Sequence, residues 1–252
     1  MLQAIIWAAC GTLFTFCMTS LGSATVFLFT GEPHPRFRQA MLGFAAGVMT
    51  AASVWSLLIP AMNRSEELGL PAWLPPGTGM LAGAVFLAAM DLLLAHLQES
   101  HQLFPGSHRS ALLAAAITLH NIPEGMAVGL AFALAAHGEH PAGAAALALG
   151  IGIQNFPEGA AISLPLRQEG YSRRHAFWGG AMSGAVEPVF GVLTVLCAAG
   201  ATPLMPWLLS FAAGAMLYVV AEELIPQAHS RIGTGGFLLG FLIMMTLDVA
   251  LG

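Results

Sequence analysis

Two versions of one hexapeptide, His120-Asn121-Ile122-Pro123-Glu124-Gly125 and Gln154-Asn155-Phe156-Pro157-Glu158-Gly159, carry the chemistry of this sequence. On a helix of about 3.6 residues per turn, positions i, i+1 and i+4 fall within an arc of about 100°. His120, Asn121 and Glu124 therefore share a face, as do Gln154, Asn155 and Glu158 on the next apolar segment. Two helices can thus offer imidazole, carboxamide and carboxylate groups to one cleft. That set suits borderline divalent ions, Zn²⁺ first, with Cd²⁺, Fe²⁺ or Mn²⁺ as alternatives. Pro123 and Pro157 each lack an amide N–H, which frees the carbonyls of Leu119 and Ile153 and tends to bend the helix. Such carbonyls are tolerated in a membrane where they line a cavity or meet a ligand.

The elements that must position these groups are apolar. Of 252 residues, 57% are hydrophobic and only 8% charged, with a mean hydropathy of +0.76, too little polar surface for a water-soluble fold of this length. A helix crossing the hydrocarbon layer needs about 20 residues. The apolar stretches read as eight spans: Leu2–Phe29, Phe37–Ala61, Pro76–Leu97, Ser110–Ala136, Ala142–Leu166, His175–Gly200, Pro203–Pro226 and Gly233–Leu251. The longest polar connections, Met62–Pro75 and Gln98–Arg109, are too short for a soluble domain. The expectation is an all-α membrane protein with residues 1–252 as a single transmembrane domain in the lipid bilayer.

Lysine is absent, and of the 8 Arg, seven (Arg36, Arg38, Arg109, Arg167, Arg173, Arg174 and Arg231) fall in or beside odd-numbered connections. Only Arg64 lies in an even-numbered one. Cytoplasmic loops retain basic residues, so both termini are expected on the extracytoplasmic side. The first span reads as a retained helix, not a cleaved signal peptide. The hexapeptides stand 34 residues apart in consecutive spans of opposite direction. This predicts an inverted repeat around helices 4 and 5, a recurring design of secondary transporters.

Counting about 1.5 Å per residue from the span ends places Met49, His120, Gln154 and Glu187 at one depth, near the middle of a layer about 30 Å thick. Glu187-Pro188 repeats the carboxylate-beside-proline device and should free the carbonyl of Gly184. No Lys or Arg lies inside any span, Arg38 being only at the edge of the second. An ionised carboxylate in low dielectric needs a cationic partner, and otherwise takes up a proton. Glu124, Glu158 and Glu187, surrounded by His, Asn and Gln, therefore point to a metal and to a cation pathway, with Met49 as the one soft ligand. Asp91 on the third span and Glu222 and Glu223 at the end of the seventh extend this into a candidate exit. Asp248 and Asn63 mark a candidate entrance. His96, His101 and His108 with Glu99 form either a transient metal cluster or an ordinary polar loop, and His229 reads as a solvated loop residue.

Other classes fit less well. Cys10, Cys17 and Cys197 are isolated, which predicts packing residues and no thiolate or redox centre. So few basic residues leave no nucleic-acid footprint. A metal-dependent intramembrane hydrolase would want a His-Glu-x-x-His helix and a separate general base, and neither is present. The chain is therefore not expected to be an enzyme or to need a cofactor beyond the divalent metal it handles. A proton channel or exchanger could use the same carboxylates and is the remaining alternative. Glycines four apart, Gly43/Gly47, Gly79/Gly83, Gly125/Gly129, Gly180/Gly184 and Gly236/Gly240, predict close helix packing within the chain, a homodimer seam being their other use.

The paired hexapeptides resemble the fourth and fifth helices of the Zrt/Irt-like (ZIP) divalent metal transporters. The likeness extends to Gly43-Phe44-Ala45-Ala46-Gly47-Val48-Met49, to Glu187-Pro188, to Gly214-Ala215-Met216 and to Glu222-Glu223-Leu224-Ile225-Pro226, so it covers essentially the whole chain. It is strongest toward the bacterial branch that includes the Bordetella transporter. The resemblance implies an eight-helix bundle with both termini outside, moving divalent metal, zinc first, across the inner membrane into the cytoplasm. It also implies a two-metal centre bridged by Glu124 and Glu158. Met49, His120 and Gln154 would complete one site, and Asn121, Asn155 and Glu187 the other. Asn155 stands where the close bacterial relative has Asp, and Glu222 where it has His. The long His-rich third loop of eukaryotic members is reduced here to Gln98–Arg109.

Overall fold

The structure is a computed structural model that describes residues 1–29, 34–99, 109–136, 141–200 and 202–251. The described residues are helical, with no strand among them. The helices are α1 (Leu2–Ser23), α2 (Pro35–Ala52), α3 (Ile59–Glu67), α4 (Leu74–Glu99), α5 (Arg109–Ala136), α6 (Pro141–Gln168), α7 (Arg173–Ser183), α8 (Val186–Gly200), α9 (Met205–Val219), α10 (Ile225–Ala228) and α11 (Arg231–Leu251). Several are segments of one rod. A 3₁₀ turn, Ala24–Phe27, extends α1, and π-helical turns at Ser53–Leu58 and Val220–Leu224 join α2 to α3 and α9 to α10.

Among the described residues, six stretches are long and apolar enough to cross a membrane: Leu2–Phe27, Pro35–Glu67, Leu74–His96, Arg173–Ala198, Met205–Ala228 and Arg231–Leu251. The other two rods, α5 and α6, have 28 residues each and hold the hexapeptides, whose polar groups dilute their apolar character. The expected spans agree with these rods, with two differences. The second runs on through its π turn to Glu67, so Met62–Glu67 is helix and not connection. The sixth breaks at Gly184–Ala185. Ahead of Pro188 the backbone tightens to i→i−3 bonds, and the Gly184 carbonyl, expected to be free, accepts from Glu187 N–H at 3.1 Å. By contrast, α5 stays helical through Pro123, and α6 through Pro157 and Pro165.

Each π turn directly precedes an Ile-Pro pair, Ile59-Pro60 or Ile225-Pro226. Proline removes one backbone donor and crowds the preceding turn, and the wider π turn makes room for both effects. Gly69 and Gly170 follow α3 and α6 with φ of 71° and 97°, left-handed turns that end those rods.

The rods pack most extensively as two groups. In one, α2 lies along α11 and α4 along α9; in the other, α1 and α5 lie against α6 and α8. Glycine makes these approaches possible. A Cβ on Gly43 or Gly47 would strike the backbone of Gly233 or Phe237, and one on Gly236 or Gly240 the backbone of Ala40 or Phe44. Gly79 and Gly83 meet α9 at Ser210 and Phe211, Gly125 and Gly129 meet α8 at Glu187 and Gly191, and Gly180 and Gly184 meet α1 at Ser23 and Thr19. All five glycine pairs are thus used within the chain, the packing that lipid favours. Cys10, Cys17 and Cys197, expected as packing residues, are instead exposed on the outside of the bundle.

Candidate metal centre

His120, Asn121 and Glu124 lie on α5, Gln154, Asn155 and Glu158 on α6, and Glu187 in the first turn of α8. The last glycine of each hexapeptide seats its helix. A Cβ on Gly125 would come 2.6 Å from the Glu187 carbonyl, and one on Gly159 would strike the carbonyl of Thr19 on α1. The groups so assembled are buried: Asn121, Gln154, Asn155 and Glu187 are 0% exposed, Glu124 1% and His120 5%.

A chain of amide donors connects two of the carboxylates. Gln154 Nε2 donates to Glu124 Oε1 at 2.6 Å and to Asn155 Oδ1 at 3.1 Å. Asn155 Nδ2 donates to Glu187 Oε1 at 2.9 Å, and Thr19 Oγ1 reaches the same oxygen at 3.4 Å. Several buried atoms remain without a hydrogen-bond partner among the described residues: both side-chain polar atoms of Asn121, Gln154 Oε1, and Oε2 of Glu124, Glu158 and Glu187. Buried polar atoms are seldom left this way, and five of these six are oxygens. Five unpartnered acceptor oxygens gathered in one buried place could serve as ligands to a cation.

His120 departs from expectation in its neighbours. Its Nε2 lies 3.3 Å from Glu223 Oε1, on the π turn after α9, and 3.8 Å from Asp91 Oδ1 on α4. One ligand atom from each of these three residues lies within 4.8 Å of the others, close enough to hold a metal ion. A midpoint and a separate exit, as the sequence suggested, are therefore joined through His120. Glu222, next in the chain, is exposed and stands outside this cluster. A cavity of about 570 Å³ adjoins the centre, lined by His120, Glu158 and Glu223 and by the exposed His34 and Arg38, with mostly apolar walls such as Phe156 and Leu164.

Met49 is buried in the apolar core of α2. Asp248 Oδ1 accepts from Ser56 Oγ at 2.6 Å, away from the cavity lining, and Asn63 is exposed on α3. His96 and His229 are exposed, while His101 and His108 lie outside the described residues.

Residues 95–248 match the family described as ZIP Zinc transporter. Zinc transporter ZIP11 of Homo sapiens is 36% identical over 338 positions, covering 99% of this chain and 98% of its own length. Zinc transporter GufA of Myxococcus xanthus is 38% identical over 245 positions, covering 93% and 94%. Zinc transporter ZIPB of Bordetella bronchiseptica is 35% identical over 257 positions, covering 98% and 82%.

The chain belongs to the ZIP zinc transporter family. Membership makes it an integral membrane transporter of divalent metal and not an enzyme, which disposes of the hydrolase alternative. The likeness is not confined to the bacterial branch, since a human ZIP protein matches as well as two bacterial ones do. Within this ZIP chain, sequence reasoning overlooked the first helix, whose Thr19 reaches Glu187. A signal was there: Thr12, Thr15, Thr19 and Ser23 recur at helical spacing and are all buried at 0% exposure.

Proposed function

We propose that this chain is a carrier that takes up a divalent cation, zinc first, and delivers it to the cytoplasm. The observation that carries the reading is the set of buried, unpartnered oxygens on Asn121, Glu124, Gln154, Glu158 and Glu187, joined through His120 to Asp91 and Glu223 beside the cavity. The chain has no Lys, and its Arg residues keep to the ends of the rods, so those acids are neutralised by the cargo or by protons. Glu124 and Glu158 supply charge, Gln154 and His120 complete the ligand set, and Met49 offers a soft contact in the core. Asp91 and Glu223 receive the ion from His120, and Glu222 passes it to water. Asp248 and Asn63 stand on the route in.

The Arg distribution supports both termini outside the cytoplasm, and the meeting of the two hexapeptides through Glu124 and Gln154 supports an inverted repeat around the fourth and fifth rods. The whole chain acts as one transmembrane domain. The relatives named zinc transporters support zinc as cargo, and those from Myxococcus and Bordetella support a bacterial inner membrane. The test is uptake of radiolabelled zinc into reconstituted vesicles, with cadmium, manganese and iron competitors. Glu124→Ala is expected to abolish uptake while the protein stays folded. Wild-type rates in that variant would sink the assignment, and metal-independent proton flux insensitive to loss of His120 would favour a proton pathway.

A further inference from the structure

We infer that Thr19, on the first helix, is a positioning residue for transport: its hydroxyl fixes the Glu187 carboxylate so that one oxygen, Oε2, is left to meet the ion. The inference rests on the transport reading above and concerns a helix that carries neither hexapeptide.

Thr12, Thr15, Thr19 and Ser23 line one face of α1, each 0% exposed. A hydroxyl on an apolar helix ordinarily bonds back to a carbonyl of its own rod. Thr12 Oγ1 does so at 2.7 Å, to Ala8, and Thr15 Oγ1 at 2.9 Å, to Thr12. Thr15 also faces the Glu187 carboxylate, but its one proton is taken at that short distance by its own helix. Thr19 is held more loosely, with the Thr15 carbonyl at 3.2 Å and Glu187 Oε1 at 3.4 Å. Of those two acceptors an ionised carboxylate makes the stronger bond.

The backbone is arranged around this meeting. A Cβ on Gly184 would lie 2.9 Å from Thr19 Cβ and Oγ1 and 3.1 Å from Glu187 Oε1, so a side chain there would wedge the two apart. On the other side, a Cβ on Gly159 would strike the Thr19 carbonyl. Thr19 therefore rests its main chain on the second hexapeptide while its side chain reaches the first turn of α8. Asn155 Nδ2 donates to the same Oε1 at 2.9 Å, so this oxygen is held from α1 and α6 together. A carboxylate that can turn about its last bond offers a metal either oxygen or both. With Oε1 taken by two donors, Oε2 is the oxygen available to a cation, and it is buried with no hydrogen-bond partner among the described residues.

The experiment measures zinc uptake by the full-length protein in reconstituted vesicles, with thermal unfolding run on each variant. Thr19→Val keeps the shape and loses the hydroxyl. It is expected to raise half-saturating zinc about tenfold, the scale of one hydrogen bond to a charged group, with maximal uptake within about twofold of wild type. Thr19→Ser, which keeps the hydroxyl, should restore half-saturation, and Thr12→Val, whose hydroxyl serves its own helix, should leave it unchanged. Thr19→Val should add nothing to the defect of Glu187→Gln, because both act through one carboxylate. If Thr19→Val does not fold, Thr19→Ala, which cannot overpack the site, carries the same expectation. Wild-type half-saturation in the variant lacking the hydroxyl, a defect in Thr19→Ser as large as in Thr19→Val, or a further loss on top of Glu187→Gln would each overturn the inference. Wild-type uptake in Glu124→Ala and in Glu187→Gln would overturn the transport reading itself, whereas a loss in those two with none in Thr19→Val removes only the role of Thr19.

Discussion

Nε2 of His120 on α5 lies 3.3 Å from Oε1 of Glu223 on the π turn after α9, and the contact crosses from one helix group to the other. His120 shares a helical face with Glu124, one turn further along α5, and its imidazole meets the acids on the far side. A shift of one group against the other would change this contact.

Glu223→Gln keeps the shape but removes the charge that would draw the ion away from His120. Zinc bound at the centre should persist within about threefold, while maximal uptake falls about tenfold or more, the scale of one charge-assisted contact. Radiolabelled flux set beside equilibrium binding separates the two. A variant that loses binding and flux together would place Glu223 in the centre instead of at its exit.

The parts of this arrangement that were readable from sequence are those set by local spacing. The i, i+1, i+4 pattern placed His120, Asn121 and Glu124 on one face, and the hydrophobic run lengths gave rods whose ends moved by only a few residues. Contacts set by tertiary packing were not readable. Nothing in the sequence near Asp91 or Glu223 says that His120 will turn to them, because the residues sit on three rods far apart in the chain. The π turns also escaped notice: Ile-Pro reads as a kink or a helix start, and only packing decides that the preceding turn widens. The break at Gly184 was half legible, since Pro188 signalled a freed carbonyl but not that Glu187 N–H would take it.

Gly125 permits α5 to rest on Glu187, with space for no more than a hydrogen: a Cβ would come 2.6 Å from the Glu187 carbonyl and 2.7 Å from its Cα. Gly125→Val should separate α5 from α8, lower the unfolding temperature by several degrees and remove bound zinc, since overpacking against backbone costs about 1–3 kcal/mol. Gly235→Val, where nothing lies within 4 Å of an added Cβ, serves as the control and should bind zinc normally. Equal thermal shifts in the two variants would contradict the close approach as the cause.

Protons compete with metal for the same carboxylate oxygens. Metal binding to such a set releases protons, so the apparent affinity falls in acid, by up to about tenfold per pH unit for each proton displaced. Uptake at low zinc should therefore drop as the medium is acidified, and saturating zinc should restore much of it. A pH effect confined to the maximal rate, with half-saturation unmoved, would speak against direct competition.

Pro226 tests whether the π turn itself matters. It sits directly after the widened turn Val220–Leu224, and its missing N–H leaves the Glu222 carbonyl without the regular i→i−4 donor. Pro226→Ala supplies that donor and removes the ring that crowded the turn, so the rod can relax to regular α geometry. Losing one residue of bulge rotates the helix before the turn by about 100° relative to the helix after it, which would swing Glu223 away from His120. The expected result is an unfolding temperature equal to or above wild type, together with an uptake loss like that of Glu223→Gln. The combined variant should be no worse than either alone, because both act by removing one contact. Normal uptake in a Pro226→Ala protein shown by proteolysis or hydrogen exchange to have a tightened turn would mean that Glu223 reaches His120 without help from the π geometry.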